Sequence, residues 1–172
     1  MQINVAQQLK APIGSMRNYH MSETVDIDGN NHLVEGEIRL TRTQRSIFTK
    51  GILRTKIELT CSRCLNLFSC PLKLNIEEEY FPTIDVWGGS PLSLADESGC
   101  FTIDNNNTLD LTEAIRQYGL LAVPMKPLCD QDCAGLCSNC GHNLNEGPCN
   151  CLPQRIGPRH YELSKLYKMK GG

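Results

Sequence analysis

At 172 residues, with 40% hydrophobic and 21% charged residues and a formal net charge of −2, the chain has the make-up of an ordinary soluble globular domain with its own core. No apolar run approaches the roughly 20 residues of a membrane helix, and the opening MQINVAQQLKAPIG has neither a basic n-region nor an apolar h-region, so the expected location is cytoplasmic, with no membrane contact. There, thiols stay reduced, and ten cysteines point to metal ligands before disulfides.

In chain order, Met1–Val5 reads as a short strand, followed by an irregular stretch with Pro12 and Gly14. Three runs then alternate with period two, the pattern of half-buried antiparallel strands. LVEGEIRLTR (33–42) turns Val34, Gly36, Ile38 and Leu40 to one face. IFTKGILRTKIELT (47–60) turns Ile47, Leu53, Ile57 and Leu59 inward and Lys50, Arg54, Lys56 and Glu58 outward. LKLNIEEEY (72–80) turns Leu72, Leu74, Ile76 and Tyr80 inward and Lys73, Asn75, Glu77 and Glu79 outward. A loop rich in Gly, Pro and Ser over 82–108 leaves room for one brief strand at Phe101 and Ile103. DLTEAIRQYGLLAVP (110–124) predicts a helix: Asp110 as N-cap, Glu113 closing a capping box, Pro124 as the stop. Gly119 within it costs about 1 kcal/mol against alanine. The closing GPRHYELSKLYKMKGG predicts a short basic helix with a frayed tail. The expected fold class is therefore α+β: an antiparallel β-meander with a packed helix over 1–126, and a cysteine-rich, zinc-binding segment with a basic tail over 127–172, packed on the same domain.

Charge is segregated along the chain. Residues 39–73 hold Arg39, Arg42, Arg45, Lys50, Arg54, Lys56, Arg63 and Lys73 against Glu58 alone; residues 77–113 hold nine acids and no base. Such a pattern gives a near-neutral protein a basic face, although a merely solvated strand surface would look the same.

PLCDQDCAGLCSNCGHNLNEGPCNC (127–151) packs six cysteines into 25 residues. Zinc takes four ligands in a tetrahedron, and Cys-x-x-Cys lets one tight turn supply two of them. Cys61 and Cys64 form one such pair where strand 47–60 should turn back; Cys137 and Cys140 form another, with Cys149 and Cys151 close behind and Cys129 and Cys133 ahead. Cys70 and Cys100 stand alone and read as buried small hydrophobes. Eight thiolates suffice for two structural zinc ions. In the preferred grouping, Cys137, Cys140, Cys149 and Cys151 bind one ion, and Cys61, Cys64, Cys129 and Cys133 bind a second that pins the tail to the sheet. In the other, the knuckles Cys61–Cys64 and Cys137–Cys140 share one ion. Catalytic zinc usually keeps an open position beside histidine or carboxylate ligands; here thiolates are in surplus, and His142 reads as a solvent-facing turn residue. With no phosphate loop, dinucleotide fingerprint or His-Glu-x-x-His, the sequence points away from an enzyme and from any small-molecule substrate.

LTCSRCLNLF, LDLTEAIRQYGLLAVPMKPLC, CAGLCSNCGHNLNEGPCNC and GPRHYELSKL together resemble the YceD-like large ribosomal RNA subunit accumulation proteins, across nearly the whole chain and most weakly before residue 30. Gly157 stands where members commonly have an aspartate. The resemblance implies a bacterial or plastid ribosome-biogenesis factor needed for accumulation of large-subunit (23S) ribosomal RNA. Family genes often neighbour that of ribosomal protein L thirty-two. Some members lack most of the C-terminal cysteines, which makes zinc a stabilising device and not the shared functional centre. No catalytic residue carries over.

Two functions follow. As an RNA-binding module, the chain would meet phosphates of large-subunit ribosomal RNA or its precursor through Arg42, Arg45, Lys50, Arg54, Lys56 and Arg63, with Arg39 beside them. Alternation splits these between faces, and stacking aromatics are few. As an adaptor or chaperone without direct RNA contact, it would receive a basic ribosomal protein such as L thirty-two on the acidic stretch 77–113. A nuclease would need a carboxylate or histidine constellation that is absent from the sequence.

Overall fold

A computed structural model describes residues 1–92 and 99–151. Its elements are β1 (Gln2–Asn4), α1 (Ala6–Leu9), β2 (Met16–Asp26), β3 (Asn31–Arg42), β4 (Ile47–Thr60), β5 (Leu67–Pro82), β6 (Phe101–Ile103), β7 (Thr108–Asp110) and α2 (Thr112–Ala122). The strands form one seven-stranded sheet in the order β1-β7-β6-β5-β4-β3-β2. The expected tail helix lies outside the described residues.

The meander β2-β3-β4-β5 is antiparallel throughout, as alternation predicts for β3 to β5. Two corrections apply. The sheet is mixed, because β6 runs parallel to β5 through the pairs Tyr80↔Phe101 and Pro82↔Ile103; the long 83–100 connection lets the chain return on the same side before adding a strand. And the stretch after Gly14 is not irregular to residue 32: β2 is an eleven-residue strand. Its inner row has only Met21 and Val25 fully buried, with Arg17 and Glu23 interleaved at exposed positions, so its alternation is faint.

The inner rows of β3, β4 and β5 bury Val34, Ile38, Leu40, Ile47, Leu53, Ile57, Leu72, Leu74, Ile76 and Tyr80, with Tyr80 stacked on Phe101 at 5.2 Å between ring centroids. Helix α2 closes this face. It packs on β5 and β2, burying Ala114 and Ile115, while the Tyr118 hydroxyl donates to the Glu77 carbonyl at 3.1 Å. Gly119 has its reason here: a Cβ would sit 2.6 Å from Ile27 Cγ2. Bridging strands three places apart requires the sheet to curl, and Gly36 and Gly51 allow it. A Cβ on Gly36 would press into the Ile52 carbonyl oxygen, and one on Gly51 would lie 2.9 Å from Ile38 Cα.

The helix begins differently from the capping box read in the sequence. Asp110 ends β7; its Oδ1 accepts from the Thr112 amide at 2.9 Å, and Leu111 occupies the cap position without a side-chain bond. Glu113 turns forward, to Arg116 at 2.7 and 2.8 Å and to Gln117 at 2.8 Å. Val123 is extended, as a residue before proline prefers.

Candidate metal centres and basic face

At the far end of the β4–β5 hairpin, residues 61–66 form a tight knuckle. The Cys61 amide donates to the Asn66 carbonyl at 2.9 Å and the Leu65 amide to the Cys61 carbonyl at 3.0 Å, with Leu65 at φ +61°. The same turn recurs at 137–142. The Cys137 amide donates to the His142 carbonyl at 2.8 Å and the Gly141 amide to the Cys137 carbonyl at 2.9 Å, with Gly141 at φ +73°. In each knuckle an amide two residues on points at the first sulfur: Arg63 to Cys61 at 3.5 Å, Asn139 to Cys137 at 3.4 Å.

The eight thiols gather in two groups of four. Cys61, Cys64, Cys129 and Cys133 form the first site; Cys137, Cys140, Cys149 and Cys151 form the second; within each, the sulfurs lie within 4.8 Å of one another. This is the preferred grouping from the sequence; the two knuckles do not share a site. In the first, Cys61 and Cys133 are 3.8 Å apart and Cys64 and Cys129 3.6 Å. A tetrahedron with metal–sulfur bonds of about 2.3 Å has an edge of about 3.8 Å, so the donors fit an ion. All ten cysteines are free thiols. Neither Cys70 nor Cys100 is the buried small hydrophobe expected from the sequence: Cys70 is half-buried at the margin of the core, and Cys100 is exposed in the connection leading to β6.

Electrostatics within each group favours a cation. Amides aimed at Cys61, that of Cys64 first and those of Cys129 and Arg63 after it, bring its thiol down to about 6 against the opposing effect of burial. The Asn139 and Cys140 amides, and the thiol of Cys149, do the same for Cys137, also to about 6. The neighbours respond in the opposite sense. Contact with Cys64, then burial, pushes Cys129 up to about 12. Contact with Cys140, then burial, pushes Cys151 up to about 12. Cys64 has the Asn66 amide favouring its thiolate, but burial and the sulfurs of Cys61 and Cys133 outweigh it and raise the thiol. Four sulfurs this close do not all ionise unless a positive charge sits among them.

The sites differ in setting. Cys61, Cys64 and Cys133 are buried with Phe68, Leu128 and Leu136 around them. Segment 127–133 is further tied to the hairpin by the Ser62 amide on the Pro127 carbonyl at 2.8 Å and by Arg63 Nη1 on the Cys133 carbonyl at 2.9 Å. The second site has no buried ligand. Asn145, which the sequence reading missed, joins the two. Its Nδ2 donates to Cys133 Sγ at 3.3 Å, and its Oδ1 accepts from the Ala134 amide at 2.7 Å. An asparagine in a turn-rich run carries no sequence signal for this. His142 is exposed, as expected.

The candidate RNA-binding residues do not form one surface. Arg42 is half-buried, with Nε on the Leu9 carbonyl at 3.2 Å and Nη1 on the Ser46 carbonyl at 2.9 Å; burial lowers its pKa from the ordinary arginine value. Arg63 is engaged by the Gln131 and Cys133 carbonyls. Lys50 pairs with Glu77, and Arg39 donates to Asn18 at 3.1 Å. Arg45 is exposed in the β3–β4 turn. Arg54 and Lys56 project from the outer face of β4 with Lys73 of β5 alongside.

Among the described residues, no helix is long and apolar enough to cross a membrane. No solved structure matches the chain. A chloroplastic large ribosomal RNA subunit accumulation protein homologue of Zea mays is 31% identical over 143 residues, covering 69% of this chain and 48% of that protein. Its Arabidopsis thaliana counterpart is 28% identical over 140 residues, covering 69% and 43%. An uncharacterized protein of Mycobacterium leprae is 21% identical over 109 residues, covering 63% and 48%. The matched region thus spans about half the length, or less, of these curated relatives. The profile of the large ribosomal RNA subunit accumulation protein YceD matches residues 49–168, from β4 through both cysteine groups, and the chain belongs to that family.

Proposed function

We propose that the chain is a non-catalytic ribosome-biogenesis factor that supports accumulation of large-subunit ribosomal RNA, with two zinc ions as structural cross-links. Family membership over residues 49–168 carries this reading. Four thiolates complete a tetrahedron and leave no position for water or substrate, so each ion joins chain segments and activates nothing. Reduced thiols of this kind suit a reducing compartment such as the cytoplasm.

Contact with RNA is favoured over the adaptor role. Most of the described acids of 77–113 that an adaptor would offer to a basic ribosomal protein are engaged within the fold. Glu77 holds Lys50, Glu79 accepts from Ser46 and Thr43, and Asp104 accepts the Asn106 and Thr108 amides. Asp110 accepts from Thr112 and Gln2, and Glu113 holds Arg116. Depleting the protein from cells that make it should lower the ratio of large- to small-subunit ribosomal RNA, restored by re-expression. An unchanged ratio refutes the reading.

A further inference from the structure

The outer face of the β4–β5 hairpin carries a pair of side chains that works against the fold. Arg54 and Lys73 stand directly opposite one another in the strand register, and Lys56 follows two residues along, opposite Pro71. All three cations are exposed, and none forms an ion pair among the described residues. Like charges directly opposite on neighbouring strands destabilise a sheet. The carboxylate nearest in register, Glu35 opposite Arg54 on β3, accepts instead from the Ser22 hydroxyl at 3.1 Å. Together with Leu33, which is 54% exposed, these residues line a shallow groove of about 570 Å³ in which Glu35 is the only acid among the described residues.

We propose that this groove is a binding site for the phosphate backbone of RNA, contacted by Arg54, Lys56 and Lys73. The choice of RNA as the polyanion rests on the function proposed above; the groove itself rests on the register. Arg54 and Lys56 are about 7 Å apart along β4, a separation that suits successive phosphates of an extended strand. Among the described residues no aromatic ring lines the groove, so contact is with backbone charge and not with stacked bases. An anion between Arg54 and Lys73 converts their repulsion into shared attraction, which explains a pair that the free protein would be more stable without.

The test is fluorescence anisotropy with a short fluorescein-labelled RNA strand, and with the corresponding duplex, over a salt series. The triple variant Arg54→Gln, Lys56→Gln, Lys73→Gln should bind more weakly, with a plot of log affinity against log salt shallower by about 2 for the single strand. Lys50→Gln, which removes a cation already paired to Glu77, should leave the slope unchanged. Lys73→Glu should move two readouts in opposite directions: Tm rises by about 1–3 °C as Arg54 gains a partner, while RNA affinity falls. An unchanged slope in the triple variant, or preferential binding of polyglutamate, overturns the assignment; the latter result would point to an acidic protein partner. If the wild-type chain binds no RNA at low salt although its depletion still lowers large-subunit RNA, the groove assignment falls while the proposed function stands.

Discussion

Replacing Cys133 with serine isolates what the first cysteine group does for the fold. Its ligands come from the β4–β5 turn and from the segment after α2, and the Cys64–Cys129 contact joins residues 65 apart in sequence. Treated as a cross-link, closure of a loop of that length removes about 4 kcal/mol of chain entropy from the unfolded state. The second group closes a short ribbon, tied back to the first through Asn145, so its constraint is local. For a domain of this size, about 4 kcal/mol corresponds to a fall in Tm of about 10 °C. The assay is far-UV circular dichroism melting of protein purified without chelator, with zinc counted by mass spectrometry. Wild type should carry two ions. Cys133→Ser should carry one and melt about 10 °C lower, and Cys149→Ser should carry one and melt within about 3 °C of wild type. Equal melting of the two variants, or loss of an ion from Cys133→Ser with no change in Tm, would refute the cross-link reasoning.

Three further outcomes are expected. Asn145→Leu removes the amide donor to Cys133 and should weaken zinc at the first site by about 10- to 100-fold, read by competition with a chromophoric chelator, while the second site keeps its ion. Gly51→Ala drives a methyl group into the backbone of β3 and should lower the urea-unfolding free energy by about 1–3 kcal/mol; an unchanged midpoint would show that the sheet does not need this close approach. Burial pushes the Asp110 carboxyl up, but the Thr112 hydroxyl and amide and Gln2 outweigh it and hold it at about 2, below its ordinary 3.8. A depressed carboxylate stabilises the fold above its unfolded pKa and stops doing so as pH falls through the folded one. The stability gap between wild type and Asp110→Asn should therefore be constant above about pH 4 and close toward pH 2, measured by urea midpoints across pH.

The sequence made β3, β4 and β5 legible because each sets several large apolar residues at alternate positions facing the core, even though Thr49 and Thr55 of β4 and Glu78 of β5 fall in the same rows. β2 stayed hidden because Arg17 and Glu23 interrupt its inner row near the sheet margin, where burial does not enforce alternation. The parallel pairing of β6 was equally invisible, since strand direction follows from where the 83–100 connection leads the chain and not from the three residues that pair. Cysteine spacing limited the candidate metal sites to two groupings. Deciding between them required the fold, because Cys129 reaches Cys64 only once α2 has carried the chain back to the β4–β5 turn. The cations show the same limit. Sign and position in the sequence are plain for Arg42, Arg54 and Arg63, but only the structure tells that carbonyls occupy Arg42 and Arg63 and leave Arg54 facing solvent.

The two knuckles adopt one turn with unequal local support, and this links the first candidate metal site to the outer face. Gly141 accepts its positive φ without strain, whereas Leu65 holds the same conformation at a cost of about 1–2 kcal/mol. Tertiary contacts must therefore keep the first knuckle closed. Gly135 packs on Arg63, where a Cβ would lie 3.2 Å from the Arg63 carbonyl oxygen, and Arg63 in turn grips the Cys133 carbonyl. An ion among Cys61, Cys64, Cys129 and Cys133 would lock the same turn. That turn sets the β4–β5 register from Thr60↔Leu67 onward, and the register places Arg54 opposite Lys73. A slip of one residue would turn every outer side chain of one strand toward the core. Losing the first ion should therefore weaken RNA binding as well as stability, whereas losing the second, in a knuckle that glycine already favours, should leave the groove and its salt dependence intact.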